Sequence, residues 1–231
     1  MDSIAGRLAA VRARIAQACR ASGRDPGEVR LLPVSKTRPA RELREALAAG
    51  ESRFGENQAQ EAAGKAAELA DVPGLTWAMI GHLQTNKAKL VARFAAEFQA
   101  LDSLRLAAEL DRRLQAEGRA MDVLIQVNSS GEESKFGLPP ADVVGFAAAL
   151  RPFDSLHVMG LMTLALPSPQ EDAVSACFDV MRVAQRHLWD TVGLPGSYDE
   201  LSMGMSGDFE LAIAHGSTCV RIGTAIFGQR G

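Results

Sequence analysis

The stretch VRLLPVSK, residues 29–36, runs apolar from Leu31 to Val34 and then turns polar at Ser35 and Lys36. An apolar run too short for a helix, bounded by polar residues, is the pattern of a strand buried on both faces of a parallel sheet. VLIQV at 123–127 repeats it. Working outward, strands are expected at Val29–Val34, Ser52–Phe54, Thr76–Ile80, Phe98–Leu101, Asp122–Asn128, Leu156–Met162, Glu200–Met203 and Cys219–Ile222. Helical periodicity fills the intervals near 40–49, 58–70, 84–94, 103–117, 139–150, 168–191 and, briefly, 208–215. Eight alternating units predict an α/β fold, a single (β/α)8 TIM-type barrel; an open doubly wound sheet is the competing architecture. The 231 residues suit one barrel domain over 1–231, with an additional N-terminal helix within 1–24.

Punctuation agrees with this layout. Pro39 is placed to open the helix after strand one and Gly50 to close it. Pro139-Pro140 opens another, and Gly118 ends the helix before strand five. Ser206 is expected to begin the short helix near 208–215.

Apolar residues make up 47% of the chain and charged residues 23%, with 25 basic against 28 acidic and a formal charge of −3. Interspersed charge of this balance offers no stripe for nucleic acid and no polybasic anchor for a membrane. No apolar run approaches the roughly 18 residues of a membrane span. MDSIAGRLAAVRARIAQACR, residues 1–20, is Arg-rich and nearly free of acid, as an organelle transit peptide is. Ile4, Leu8, Val11 and Ile15 also recur every three or four positions, and a surface helix against the barrel is the preferred reading. Cys19, Cys177 and Cys219 are odd in number and lack CxxC spacing, which argues against a disulfide framework or zinc site. A reducing, cytoplasmic setting is expected.

Active sites of such barrels lie at the C-terminal ends of the strands. There the sequence places Ser35-Lys36-Thr37, Gly55-Glu56-Asn57, Gly81-His82, Asn128-Ser129-Ser130, Ser202 to Gly207, and Arg221 to Thr224. Lys36 in a crowded mouth, with a cation such as Arg221 nearby, suits a nucleophilic amine; it also suits an ordinary strand-end lysine reaching solvent. LSMGMSGD and RIGTAIFG follow strands seven and eight, the usual phosphate position, where Ser206 and Thr224 can donate hydroxyls and Gly223 lets backbone N–H groups approach. Packed turns without a ligand are the alternative. Arg221, in an apolar strand, faces either a ligand such as a pyridine nitrogen or a structural carboxylate. Asn57 either meets a ligand hydroxyl or caps the next helix. Of the histidines only His82 sits on the active face, and none shows metal or triad spacing.

VSKTRP (34–39), RFGENQAQE (53–61), IGHLQTNK (80–87), GLM (160–162), LSMGMS (201–206) and RIGTAIFGQR (221–230) occur in the order of one known family. Together they resemble the pyridoxal phosphate homeostasis proteins, relatives of the alanine racemase N-terminal barrel. The resemblance implies pyridoxal 5'-phosphate held as a Schiff base on Lys36 and phosphate contacts from Ser206, Gly223 and Thr224. It also implies Arg221 at the pyridine nitrogen and Asn57 lining the pocket. It further implies binding, storage and delivery of the cofactor without established turnover, from a single barrel that is often monomeric. The partners expected are the cofactor itself and, transiently, pyridoxal phosphate-dependent apo-enzymes.

The main alternative is a minimal pyridoxal phosphate-dependent amino-acid racemase; an aldolase using Lys36 without cofactor is a second. Racemase relatives stack a histidine on the ring after strand six, where this chain has Leu164. They also take a second base, a tyrosine, from a further β domain. This chain ends at Gly231 after the last strand, and its single tyrosine is Tyr198. An arginine at the ring nitrogen donates a hydrogen bond without giving up its proton, which weakens the ring as an electron sink. These features favour a carrier over a catalyst. The loop after LSMGMS departs from the family's paired acids by reading Gly207-Asp208. Lys135, in ESKFG after strand five, is expected to offer a second amine near the rim during transfer.

Overall fold

The structure, a computed structural model, describes residues 3–132 and 134–229. Met1 and Asp2 of the expected leading helix, Glu133 of ESKFG and Arg230 of the RIGTAIFGQR motif lie outside the described residues, as does Gly231.

Eight strands form one parallel sheet: β1 (Arg30–Pro33), β2 (Arg53–Glu56), β3 (Thr76–Met79), β4 (Glu97–Leu101), β5 (Met121–Gln126), β6 (Leu156–Met162), β7 (Glu200–Ser202) and β8 (Cys219–Ile222). From β2 to β8 each strand pairs with its sequence neighbour, and β1 pairs with β8, so the sheet curls into the expected barrel with β1 and β2 at its seam. The helices are α1 (Ile4–Ala21), α2 (Ala40–Ala48), α3 (Ala59–Glu68), α4 (Ala88–Val91), α5 (Leu104–Ala116), α6 (Val143–Ala149), α7 (Glu171–Asp190), α8 (Phe209–Ala214) and α9 (Thr224–Phe227).

Most expected helices are present with trimmed ends. The interval near 84–94 is a 3₁₀ turn, Thr85–Lys87, followed by the single-turn α4. The short helix begins at Phe209 behind Asp208, so Ser206 lies in the turn before it rather than at its start. The four-residue α9 was not anticipated, because one turn carries no readable period.

Closure between β1 and β2 is narrow, and its cause is in the sequence. Arg30 N donates to Thr218 O and Val34 N to Ile222 O, so alternate N–H groups of β1 face β8. Those of Leu31, residue 33 and Ser35 therefore face β2. Residue 33 is proline and has no N–H to give. The seam is closed by a Val34–Gly55 bridge and by Ser35 N to Gly55 O at 3.0 Å, directly beneath Lys36.

The Arg-rich leader is the surface helix its spacing suggested. Ile4, Leu8, Val11 and Ile15 are buried, each stabilising by about 1.5–3 kcal/mol relative to exposure. Its arginines act as clasps. Arg7 Nε donates to Ile226 O at 2.5 Å, Arg12 pairs with Glu51, and Arg14 pairs with Glu210 while lying 4.6 Å from the Phe209 ring centre. The three cysteines are free and buried. No helix among the described residues is long and apolar enough to cross a membrane.

The N-terminal end of the barrel carries a charged layer. The first residues of β1, β2, β4 and β7 are Arg30, Arg53, Glu97 and Glu200. Glu97 accepts from Arg30 at 2.6 Å and from Arg53 at 2.8 Å, and Arg30 Nε also donates to Glu200 at 2.5 Å.

Candidate functional site

At the opposite end, one cavity of about 340 Å³ is lined by all six residues singled out from the sequence: Lys36, Asn57, Ser206, Arg221, Gly223 and Thr224. Val34, Ile80, Leu164, Met205 and Gly207 complete its wall. Among the described residues, its charged lining side chains are Lys36 and Arg221, both cationic. No carboxylate among the described residues lines it.

Lys36 is half-buried in a sharp turn closed by Arg38 N to Ser35 O at 3.0 Å. The next residue, Thr37, has φ +65°. A β-branched side chain in the left-handed region costs about 1–2 kcal/mol, so neighbouring contacts must hold the turn. They come from β2 and α3. Thr37 N donates to Glu61 Oε1. Lys65 Nζ donates to Ser35 O at 2.6 Å, to Glu56 Oε1 at 2.6 Å and to Glu61 Oε1 at 2.7 Å, while Ser35 Oγ donates to Glu56 Oε1 at 2.6 Å. Residues on both sides of Lys36 are thereby tied to one buried network. Burial pushes the Glu56 carboxyl up, against the hydrogen bonds from Lys65 and Ser35. Sequence reading missed this network. Its signals were a glutamate at the end of a buried strand and the Glu61–Lys65 pair one helical turn apart.

Arg221 is 3% exposed and donates to Ser202 Oγ and to Thr163 O, each at 2.6 Å. Both described partners are neutral oxygens, where the structural alternative required a carboxylate. Burial pushes its guanidinium value down, and the field of Asp208 opposes this. Asp208 is occupied otherwise, accepting from Met205 N at 2.6 Å, which folds the Met205–Asp208 turn that presents Ser206 and Gly207. Gly223 precedes Thr224, the first residue of α9. The leading N–H groups of a helix have no acceptor within it.

Two motif glycines have steric roles. A Cβ on Gly81 would come 2.4 Å from Asn57 O, so GHLQ packs directly on the backbone that carries Asn57. A Cβ on Gly160 of GLM would come 1.9 Å from Glu200 O, so any side chain there would force β6 and β7 apart.

Three other residues stand outside the cavity wall. His82 stacks on Phe136 with ring centres 3.9 Å apart. Lys135 lies in an adjoining cavity of about 170 Å³ that shares Leu164, and its Nζ meets Glu132 at 2.5 Å and Ala165 O at 3.3 Å. Tyr198 precedes β7, at the opposite end of the barrel. It is 3% exposed, donates its hydroxyl to Pro195 O, and is pushed up to about 12 by burial.

The fold and cavity define a parallel (β/α)8 barrel with a cationic mouth. Residues 7–231 match the family model for the alanine racemase N-terminal domain. The chain is 46% identical over 230 residues to the pyridoxal phosphate homeostasis protein of Pseudomonas aeruginosa, covering 100% of this chain and 97% of that one. It is 44% identical over 235 residues to the protein of that name from Escherichia coli K12, covering 100% and 98%. Among solved structures, PipY of Synechococcus elongatus with pyridoxal phosphate bound superposes with a TM-score of 0.83 at 36% identity, covering 98% of this chain and 100% of that one. An alanine racemase from Streptomyces lavendulae superposes with a TM-score of 0.72 at 20% identity, covering 96% of this chain and 58% of that one, a likeness of fold. The chain belongs to the pyridoxal phosphate homeostasis protein family, within the alanine racemase N-terminal barrel class.

Proposed function

We propose that this chain binds pyridoxal 5'-phosphate on Lys36 and serves intracellular homeostasis of that cofactor through binding, storage and delivery. The observation that carries the reading is the charge of the cavity: two cations, no carboxylate, and hydroxyl and amide donors after β7 and β8. That donor set suits a dianionic phosphate. Curated relatives of full length carry the homeostasis name, and a structure of PipY contains the cofactor.

In this reading Ser206, Gly223 and Thr224 hold the phosphate, Asn57 meets a ring substituent, and Arg221 donates to the ring nitrogen. Condensation of the Lys36 amine with the cofactor aldehyde releases water and leaves a Schiff base. No carboxylate, imidazole or phenol lines the described cavity beside Lys36, which favours holding the cofactor over moving protons on a bound amino acid. Residues 1–231 then act as one binding domain, a cytoplasmic monomer that meets pyridoxal phosphate-dependent apo-enzymes transiently.

The purified protein is expected to absorb in the visible range. Borohydride should fix the cofactor mass on the peptide containing Lys36, and Lys36→Ala should abolish that adduct. Protein that takes up no pyridoxal phosphate, or an adduct on another lysine, would overturn the assignment.

A further inference from the structure

A file of buried polar side chains crosses the barrel core from one end to the other. Arg221 donates to Ser202 Oγ at 2.6 Å. Ser202 Oγ, its lone pair so used, donates to Gln99 Oε1 at 2.7 Å. Gln99 Nε2 donates to Glu97 Oε1 at 2.5 Å. Glu97 closes the file and also accepts from Arg30 and Arg53. Gln99 and Ser202 are fully buried, and Glu97 is 2% exposed. Every link points the same way, from the cationic mouth to a carboxylate at the far end.

Direction matters because a glutamine can be turned either way round. Here the hydroxyl demands an acceptor and Glu97 demands a donor, so only one amide orientation serves both neighbours. Glu97 and Gln99 lie two apart on β4 and so share its inner face. Ser202 and Arg221 come from β7 and β8. A buried guanidinium that ion-pairs with no described carboxylate must have its rotamer fixed by neutral acceptors. Hydrogen bonds arranged head to tail polarise one another, which strengthens the whole file.

We propose that Glu97, Gln99 and Ser202 form a directed hydrogen-bond relay that sets the orientation in which Arg221 faces the cofactor cavity. Gln99 and Glu97 are then positioning residues, although neither lines the cavity. The effect on a bound ring rests on the function proposed above, whereas the orientation of Arg221 does not.

The two are separated by reading Arg221 first in cofactor-free protein. With ¹⁵N-labelled arginine, Gln99→Leu and Ser202→Ala should each speed exchange of the Arg221 side-chain N–H groups by about threefold or more. The core variant Ile125→Val should leave that exchange as in the parent. In protein loaded with pyridoxal phosphate and trapped on Lys36, the same two variants should move the visible band and hasten cofactor release. Unchanged Arg221 exchange in both variants, with melting temperatures near the parent's, would overturn the relay. Altered exchange in a protein that takes up no cofactor would sustain the relay and overturn the proposed function. Should Gln99→Leu fail to fold, Glu97→Gln reads the same relay from its far end.

Discussion

Arg30 and Arg53 at the N-terminal end of the barrel meet Glu97 and Glu200, whereas Lys36 and Arg221 at the C-terminal end face a cavity that no described carboxylate lines. Both ends gather charge onto strand termini, but only one is internally neutralised. Compensated charge in a buried layer contributes to holding strands in register. Uncompensated cations beside unpaired amides leave a binding demand that an anion from solution can satisfy. The division matches the general rule that the lower face of such barrels serves stability and the upper face chemistry.

The sharpest way to break this contrast is at Lys36. Lys36→Ala should remove all borohydride-trapped cofactor while changing stability by no more than about 0.5 kcal/mol, because the side chain is half-exposed and no carboxylate lines its cavity. A large loss in the urea midpoint would show that the mouth also holds the fold. Glu97→Ala is the reciprocal case. Loss of a buried carboxylate that serves two arginines and Gln99 should cost about 3 kcal/mol, read as a lower urea midpoint. Stability within 1 kcal/mol of the parent, by the usual error of such comparisons, would remove the basis for calling that end structural.

Smaller changes sharpen it. Thr224 is exposed at the first turn of α9, so Thr224→Ala should weaken cofactor binding by about tenfold through one lost charge-assisted hydrogen bond, with an unchanged melting temperature. Equilibrium titration of the visible band checks this, and parental affinity would remove Thr224 from the phosphate site. The smallest effect concerns pH. Burial, opposed by Arg30, raises the Glu200 carboxyl above its usual 4.5. A raised carboxyl favours the folded state fully below the unfolded value and loses that contribution as pH rises through the folded one. The stability of the parent minus that of Glu200→Gln should therefore be greatest below pH 4.5 and decline above it. A urea series across that window checks the sign, and a difference that grows with pH would reverse it.

How much of this was legible depended on range. The strand at VRLLPV, the stop at Gly50 and the amphipathic spacing of Ile4, Leu8, Val11 and Ile15 are local signals, and each appears in the structure. The six candidate residues were readable because barrel topology collects whatever follows each strand. Their supports were not. Lys65 lies nine residues beyond Glu56 and 30 beyond Ser35, and only packing of α3 behind β1 and β2 brings the three together. Gln99 in EFQAL offered one clue, a polar residue two positions from Glu97 in a buried strand, but its other partner, Ser202, lies 103 residues away on β7. His82 shows the converse: a residue that the sequence places on the active face is occupied by stacking on Phe136.

The sequence by itself determined the alternation of strands and helices, the surface leader helix, and the identity of the two cations after β1 and within β8. These follow from periodicity, turn residues and composition, all of which act over a few positions. Tertiary structure alone decided that those cations face one cavity that no described carboxylate lines, and that Arg221 is tied through the core to Glu97. Such relations need strands distant in sequence to lie side by side, and no local pattern encodes which polar groups will then meet.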